Sequence, residues 1–308
     1  MSDHTNKSDI FEKIKNRALD AEKRLSNSKS HLSPQKHKQL DFFIADMFDT
    51  VSFRDDIASM EYPIFALKAG DTRTRYYEHN NFNLTIRATE LGLATVHDKD
   101  IWIYCISKLM QAIHEGEEIS RTIRFTTYDF LVSTNRDIGG RQYELLKDSL
   151  ERLSGTRLTT SLNTGGITDE RGFGLIDSWR IIKEDGSGRM VNLELTLPDW
   201  LYRSIMSKEV LTISSDYFRL RKPLDRRIYE LARKHCGHQK EWKISLNLLH
   251  KKTGSTANIR KFRMNLKSLA ESNELPDYFV EFCLKKDMVL FKNRNSKALT
   301  KDLFNGNH

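Results

Sequence analysis

Apolar positions from Asp98 onward change period in a definite order. Ile101, Cys105, Ile106, Leu109, Met110 and Ile113 recur at helical spacing, and Asp98 or Asp100 predicts the N-cap. TIRFTT then alternates as a short strand, and Thr127 predicts the cap of a helix over YDFLVSTN. Gly139-Gly140 predicts a turn, and RQYELLKDSLERLSG a further helix stopped by Gly155. TRLTTSLN, FGLIDSWRII and MVNLELTL read as strands, separated by the turn formers of GGITDERG and EDGSGR.

The same order returns downstream. KPLDRRIYELARKHCG reads as a helix entered at Pro223 and left at Gly237, with Leu224, Ile228, Leu231 and Ala232 inward. EWKIS predicts a small strand, Ser245 the cap of LNLLHKKTG, and TGSTA a turn into NIRKFRMNLKSLAES. YFVEFCLKK and MVLFKNR predict a final hairpin. The apolar stripe Tyr143, Leu146, Leu150, Leu153 has the same steps as Ile259, Phe262, Leu266, Leu269, displaced by 116 residues. Matching contexts around the two stripes predict an internal repeat.

The predicted fold is therefore α+β, two tandem winged-helix domains behind a polar N-terminal arm. The expected boundaries are 1–40 for a partly disordered arm, 41–218 for the first domain and 219–308 for the second. Within the arm, Ile10, Phe11, Ile14, Ala18, Ala21 and Leu25 could line one helical face, too little surface to hold a helix alone.

Composition narrows the class. A chain of 308 residues suffices for two ordinary domains, and 30% charged residues suit small domains with a large solvated surface. No run approaches the roughly 20 apolar residues of a membrane helix, and the start lacks the apolar core of a secretory signal. Cys105, Cys236 and Cys283 are far apart and odd in number, which predicts a reduced, cytoplasmic setting. The net charge of +8 is uneven: residues 221–308 hold 20 Lys/Arg against 9 Asp/Glu, a net of +11, leaving −3 for residues 1–220. A basic C-terminal third on a near-neutral body suits a polyanion partner as well as a merely basic surface.

Helical projection separates the two repeats. Opposite the stripe of 259–269 lie Arg260, Lys261, Met264, Lys267 and Ser268, flanked by Arg263 and Asn265. In a helix-turn-helix this face enters the major groove, and its cations and amides suit phosphates and base edges. Lys251, Lys252, Thr253, Ser255 and Asn258 add donors near the helix N-terminus. Lys285, Lys286, Lys292 and Arg294 are the expected backbone contacts of the hairpin. The corresponding face of the first repeat carries Arg141, Glu144, Leu145, Asp148, Glu151 and Arg152, whose carboxylates would repel a phosphate wall. Only Arg136, Arg141 and Lys147 there are expected to touch backbone, and protein contact is at least as good a role for that helix. Leu145 and the edge of MVNLELTL predict a homodimer through the first domain.

Enzymatic constellations are lacking. His235, Cys236 and His238 are too close for the usual zinc spacings, and no GxxxxGK[ST] loop occurs. No two histidines are separated by a single residue, as a DNA-nicking site would need, and Tyr76-Tyr77 has no metal cluster beside it. The expectation is a non-enzymatic protein without cofactor or metal.

DDIASMEYPIFALKAGDTRTRYYEHNN (55–81), GLATVHDKDIWIYCISKL (92–109), LRKPLDRRIYELARKHCG (220–237) and EWKISLNLLHKKTGS (241–255) resemble the replication initiator protein A family of bacterial plasmids, with the likeness running over roughly 41–294. The resemblance implies tandem winged helices on directly repeated origin DNA, the C-terminal one reading the major groove. It also implies a dimer that represses its own gene, and host partners such as the replicative helicase and the chromosomal initiator. A winged-helix transcription regulator is the alternative from the residues, and a DNA-nicking enzyme a more distant one.

Overall fold

A computed structural model of the chain describes residues 30–37, 52–79, 82–164, 167–183 and 190–294. The arm's apolar face from Ile10 to Leu25 lies outside them. The elements in order are β1 (Arg54–Asp56), α1 (Ile57–Glu61), β2 (Arg75–His79), β3 (Phe82–Arg87), α2 (Lys99–Glu115), β4 (Thr122–Thr126), α3 (Thr127–Ser133) and α4 (Gly140–Gly155). They continue with β5 (Arg157–Thr164), β6 (Ile167–Gly174), β7 (Ser178–Lys183), β8 (Met190–Thr196), α5 (Asp199–Met206) and β9 (Val210–Thr212). A 3-10 turn (Ser215–Arg219) leads to α6 (Pro223–His235), β10 (Glu241–Ser245), α7 (Leu246–Thr253), α8 (Ile259–Ser272), β11 (Tyr278–Cys283) and β12 (Met288–Asn293).

Two stretches share one connectivity. In the second, α6, β10, α7 and α8 precede the β11–β12 hairpin, and the sheet order is β10-β12-β11. In the first, α2, β4, α3 and α4 precede β7 and β8, and the order is β4-β8-β7. In both, the strand after the first helix pairs with the last strand of the set. The first stretch differs by an insertion: β5 and β6 leave after α4 and complete a four-stranded sheet ordered β2-β3-β5-β6. The two helical stripes keep their correspondence. Leu146, Leu150 and Leu153 are fully buried, as are Phe262, Leu266 and Leu269, while leading Tyr143 and Ile259 are each half-buried.

Three local expectations change. Ile167–Gly174, expected mostly as a turn, is a strand paired with β5 residue for residue. MVNLELTL offers no free edge: β8 is central, bonded to β4 on one side and β7 on the other. The cap of α3 is Thr126, whose side chain accepts from Asp129 N, not Thr127, which is buried.

The cores meet around α2. From Lys99 to Ser107 this helix is buried on every side. Trp102, Tyr104, Cys105 and Ile106 belong to the first apolar cluster and Ile103 to the second, beside Phe53, Met60, Tyr217 and Tyr229. A string such as IWIYCI, apolar all round, suits a helix sandwiched between two bodies.

The junction is also ionic. Lys99 Nζ lies 2.7 Å from Asp55 and 3.2 Å from Glu230. Glu230 takes Arg227 at 2.9 Å and the Tyr217 hydroxyl at 2.7 Å. Arg227 also donates to the carbonyls of Ser59, Met60, Glu61 and Lys252. Asp100 bridges Arg226 at 2.6 Å and Arg136 at 2.9 Å. Buried charges survive only when paired and hydrogen-bonded, and these are. Burial pushes the Asp55 carboxyl upward against the pull of Lys99, while the Lys99 and Arg227 charges outweigh burial and hold Glu230 below its ordinary value.

Residues 30–37 of the arm pass along this junction. His31 is buried with Nδ1 2.6 Å from Asp225, Ser30 bonds Glu274 at 2.9 Å, and Leu32 bridges Leu220. At the far end Lys36 N donates to Asn135 and the His37 ring bonds the Arg136 carbonyl.

Candidate nucleic-acid interface

Helix α8 is positioned from both ends. Asn258 caps it, its side chain accepting from Lys261 N at 2.9 Å, and Asn273 closes it in the left-handed conformation. Ahead of it, Ser245 caps α7 and Gly254 ends α7 at φ +65°. The His250 ring bonds the Ala257 carbonyl at 2.8 Å and packs edge-on against Phe262, which fixes the turn between the two helices.

With its stripe buried, α8 presents Arg260, Lys261, Met264 and Lys267 to solvent, Met264 at 57% exposure. Arg260 and Lys261 are unpaired among the described residues, and Lys267 has only a loose partner in Glu271 at 3.6 Å. No carboxylate stands on α8 before Glu271. Arg263 leans to the hairpin, where Asp287 holds it at 2.7 Å. Lys285 and Lys286 are exposed in the β11–β12 turn. Lys251 is exposed with its ammonium 5.7 Å from the Tyr77 ring, and Ser255 Oγ accepts from Ala257 N at 3.3 Å.

Several expected contacts are committed elsewhere. Lys252 falls on the buried side of α7, its ammonium paired with Glu61, and Thr253 is buried and donates to the His250 carbonyl. Both continue the inward row of Leu246 and Leu249, so neither reaches the surface. Glu61, held by His235 and Lys252, keeps its carboxyl at about 2 despite partial burial. Arg294 lies 3.8 Å over the Phe279 ring and donates to the carbonyls of Asn273 and Leu275. Lys292 pairs with Glu281 across the hairpin at 2.6 Å. Arg136 is turned into the junction on Asp100 and the His97 carbonyl, over the Phe130 ring. Arg152, expected on the outward face of α4, instead grips Asp98 with two bonds of 2.7 and 2.8 Å.

What remains outward on α4 is Arg141, Glu144, Leu145, Lys147 and Asp148, with Glu151 half-buried. That face is mixed in charge, with Leu145 40% exposed. The two topologically equivalent helices therefore present different chemistry, one mixed in charge and one basic. Pattern reading passed over one group near α8, Arg73, Arg75 and Tyr76. TRTRYY interleaves basic and aromatic residues, the signal that could have found it.

Helix α8 lies behind a capped turn, with a basic face from Arg260 to Lys267 and a hairpin beside it, and the known chains that resemble this one are replication proteins. The family model for replication initiator protein A matches residues 54–280. A protein of Wigglesworthia glossinidia brevipalpis named "Putative replication protein" is 48% identical over 264 residues, 84% of this chain and 96% of that one. The chain belongs to the replication initiator protein A family. In fold it is similar to domains 2 and 3 of RctB: one crystal structure aligns with a TM-score of 0.55 at 15% identity, over 77% of this chain and 98% of that one. A second aligns with a TM-score of 0.54 at 12% identity, over 77% and 96%. Among the described residues no helix is long and apolar enough to cross a membrane.

Proposed function

We propose that this chain is a plasmid replication initiator without catalysis of its own, which binds repeated origin DNA as a duplex through α8. On this reading the two stretches of shared connectivity are two winged-helix units, the second the reading head. The first carries contacts to a second copy, and the dimer represses the chain's own gene. Host replication proteins, a helicase or a chromosomal initiator, are recruited to the bound origin. The observation that carries the reading is the outward face of α8: Arg260, Lys261, Met264 and Lys267, with no carboxylate among them. Arginine and lysine there suit guanine edges and phosphates, and the methionine suits a thymine methyl.

The test is enrichment of duplexes from a random pool by the full chain, followed by affinity measurements on the enriched duplex and on an unrelated one. Arg260→Ala or Lys261→Ala is expected to cost about 1–3 kcal/mol on the enriched duplex and little on the other, as for a base contact. Glu144→Ala and Asp148→Ala are expected to leave the discrimination unchanged. Loss of discrimination in the Glu144 and Asp148 variants, with Arg260 and Lys261 variants unaffected, would assign the reading head to α4 instead.

A further inference from the structure

Strand β2 and the α7–α8 turn come from opposite ends of the chain and enclose a cleft of about 320 Å³, lined by Pro63, Arg73, Arg75, Tyr76, Lys251 and Ser255 among others. We propose that this cleft seats the sugar-phosphate backbone of the DNA bound by α8, with Arg73, Arg75 and Lys251 holding a phosphate and Tyr76 packing on the adjoining sugar. The proposal rests on the DNA-binding reading and adds to it a site to which the first half of the chain contributes two cations and the aromatic ring.

Charge is the first argument. Asp71 pairs with the two arginines, Arg73 at 2.9 Å and Arg75 at 2.7 Å, and Lys251 has no carboxylate partner among the described residues. Hydrogen bonds from the two guanidiniums hold its carboxyl well below the ordinary range. Three cations against one carboxylate leave a surplus that an anion would neutralise.

Donor geometry is the second. Arg75 is only 14% exposed and spends one nitrogen on Asp71. Its Nε and Nη1 are buried and have no hydrogen-bond partner among the described residues. A guanidinium offers five donors in a fixed fork suited to phosphate oxygens. Arg73, 67% exposed, stands at the mouth, and Tyr76 beside it is 77% exposed, an aromatic ring with nothing packed over it.

Position is the third. Lys251 and Ser255 belong to the turn that leads into α8, and the backbone bordering a major groove runs past the N-terminal end of a recognition helix. The turn is seated directly on the first half of the chain: a Cβ on Gly254 would stand 2.7 Å from Pro63 Cβ. The loop carrying Asp71 is equally fixed. Gly92, at φ +87°, leaves no space against Gly70, and Leu93 N donates to the Asp71 carbonyl at 2.9 Å. The cleft therefore exists only while the two halves are docked as they are here.

The test uses the full chain, the enriched duplex and an unrelated duplex of equal length, with Arg73→Ala and Tyr76→Ala as variants because both side chains are exposed. Arg73→Ala is expected to weaken binding roughly tenfold on both duplexes alike, about the worth of one charge-assisted contact, and Tyr76→Ala to weaken both alike by roughly threefold through lost packing. For Arg73→Ala the log–log salt slope should become shallower by about 0.9. Phosphate ethylation on the enriched duplex should lose one interfering position at the flank of the sequence read, without change in the bases read. Unchanged affinity and salt slope in both variants, on a duplex that the wild-type chain binds, would overturn the cleft and leave the function of α8 standing. Loss confined to the enriched duplex would overturn it too, since that is base reading. Failure of the wild-type chain to bind any duplex would overturn the DNA-binding reading itself.

Discussion

Adjacent residues of one charge take opposite roles in this chain. Lys251 faces solvent and Lys252 is buried on Glu61, and helical phase decides between them: Lys252 follows Leu246 and Leu249 at steps of three along the apolar row. The composition of HKKT shows a basic cluster; only the phase shows which half of it is outward. Arg136 and Arg152 could not be placed from phase at all, because their partners Asp100 and Asp98 stand on another helix or at its start, 36 and 54 residues away. His97 belongs to the same junction. Burial, reinforced by the Arg226 charge, lowers its imidazole from 6.5 to about 4. The unfolded chain therefore takes up this proton first as pH falls, and stability drops between pH 6.5 and 4 by at most about 1.4 kcal/mol per unit. Urea unfolding across that window should show the loss, and His97→Gln should flatten it by one proton's worth. An unaltered slope in the variant would place the proton uptake elsewhere.

At the scale of elements, α4 and α8 were legible as a matched pair because amphipathic stripes survive in sequence, and so was the strand and hairpin order around α8. The insertion was not. β5 and β6 join a sheet with β2 and β3, strands some 70 residues away in the chain, and pairing at that distance leaves no local signal in GGITDERG. The central place of β8 was hidden for the same reason. With that edge occupied, the proposed contact between copies has the outward face of α4 left to it, where Leu145 and, on the preceding loop, Ile138 are exposed. For the proposed dimer, Leu145→Glu is expected to give monomer in sedimentation equilibrium with the far-UV circular dichroism unchanged, and a thermal midpoint that no longer rises with protein concentration. A dimer that survives the substitution would remove α4 from the interface.

The whole molecule is joined through charges that lie far from any surface. Arg227 is 2% exposed and holds Glu230 and four backbone carbonyls drawn from both halves. Arg227→Met would keep most of the volume but leave Glu230 short of a partner and those carbonyls undonated. Removing one member of a buried pair costs about 3–5 kcal/mol, so urea unfolding at neutral pH should lose that much; a loss under 1 kcal/mol would mean that apolar packing alone sets the docking. Asp55, Lys99, Asp100, Arg226, Arg227 and Glu230 are all committed to the joint, whereas the outward face of α8 takes no part in it. Arg260, Lys261 and Met264 make no bond within the described chain that the joint depends on. Inheritance can then treat the two differently. Drift at the joint is penalised in both halves at once, while the exposed face of α8 can change one side chain at a time, so that a lineage of such proteins can vary that face and still keep a single architecture.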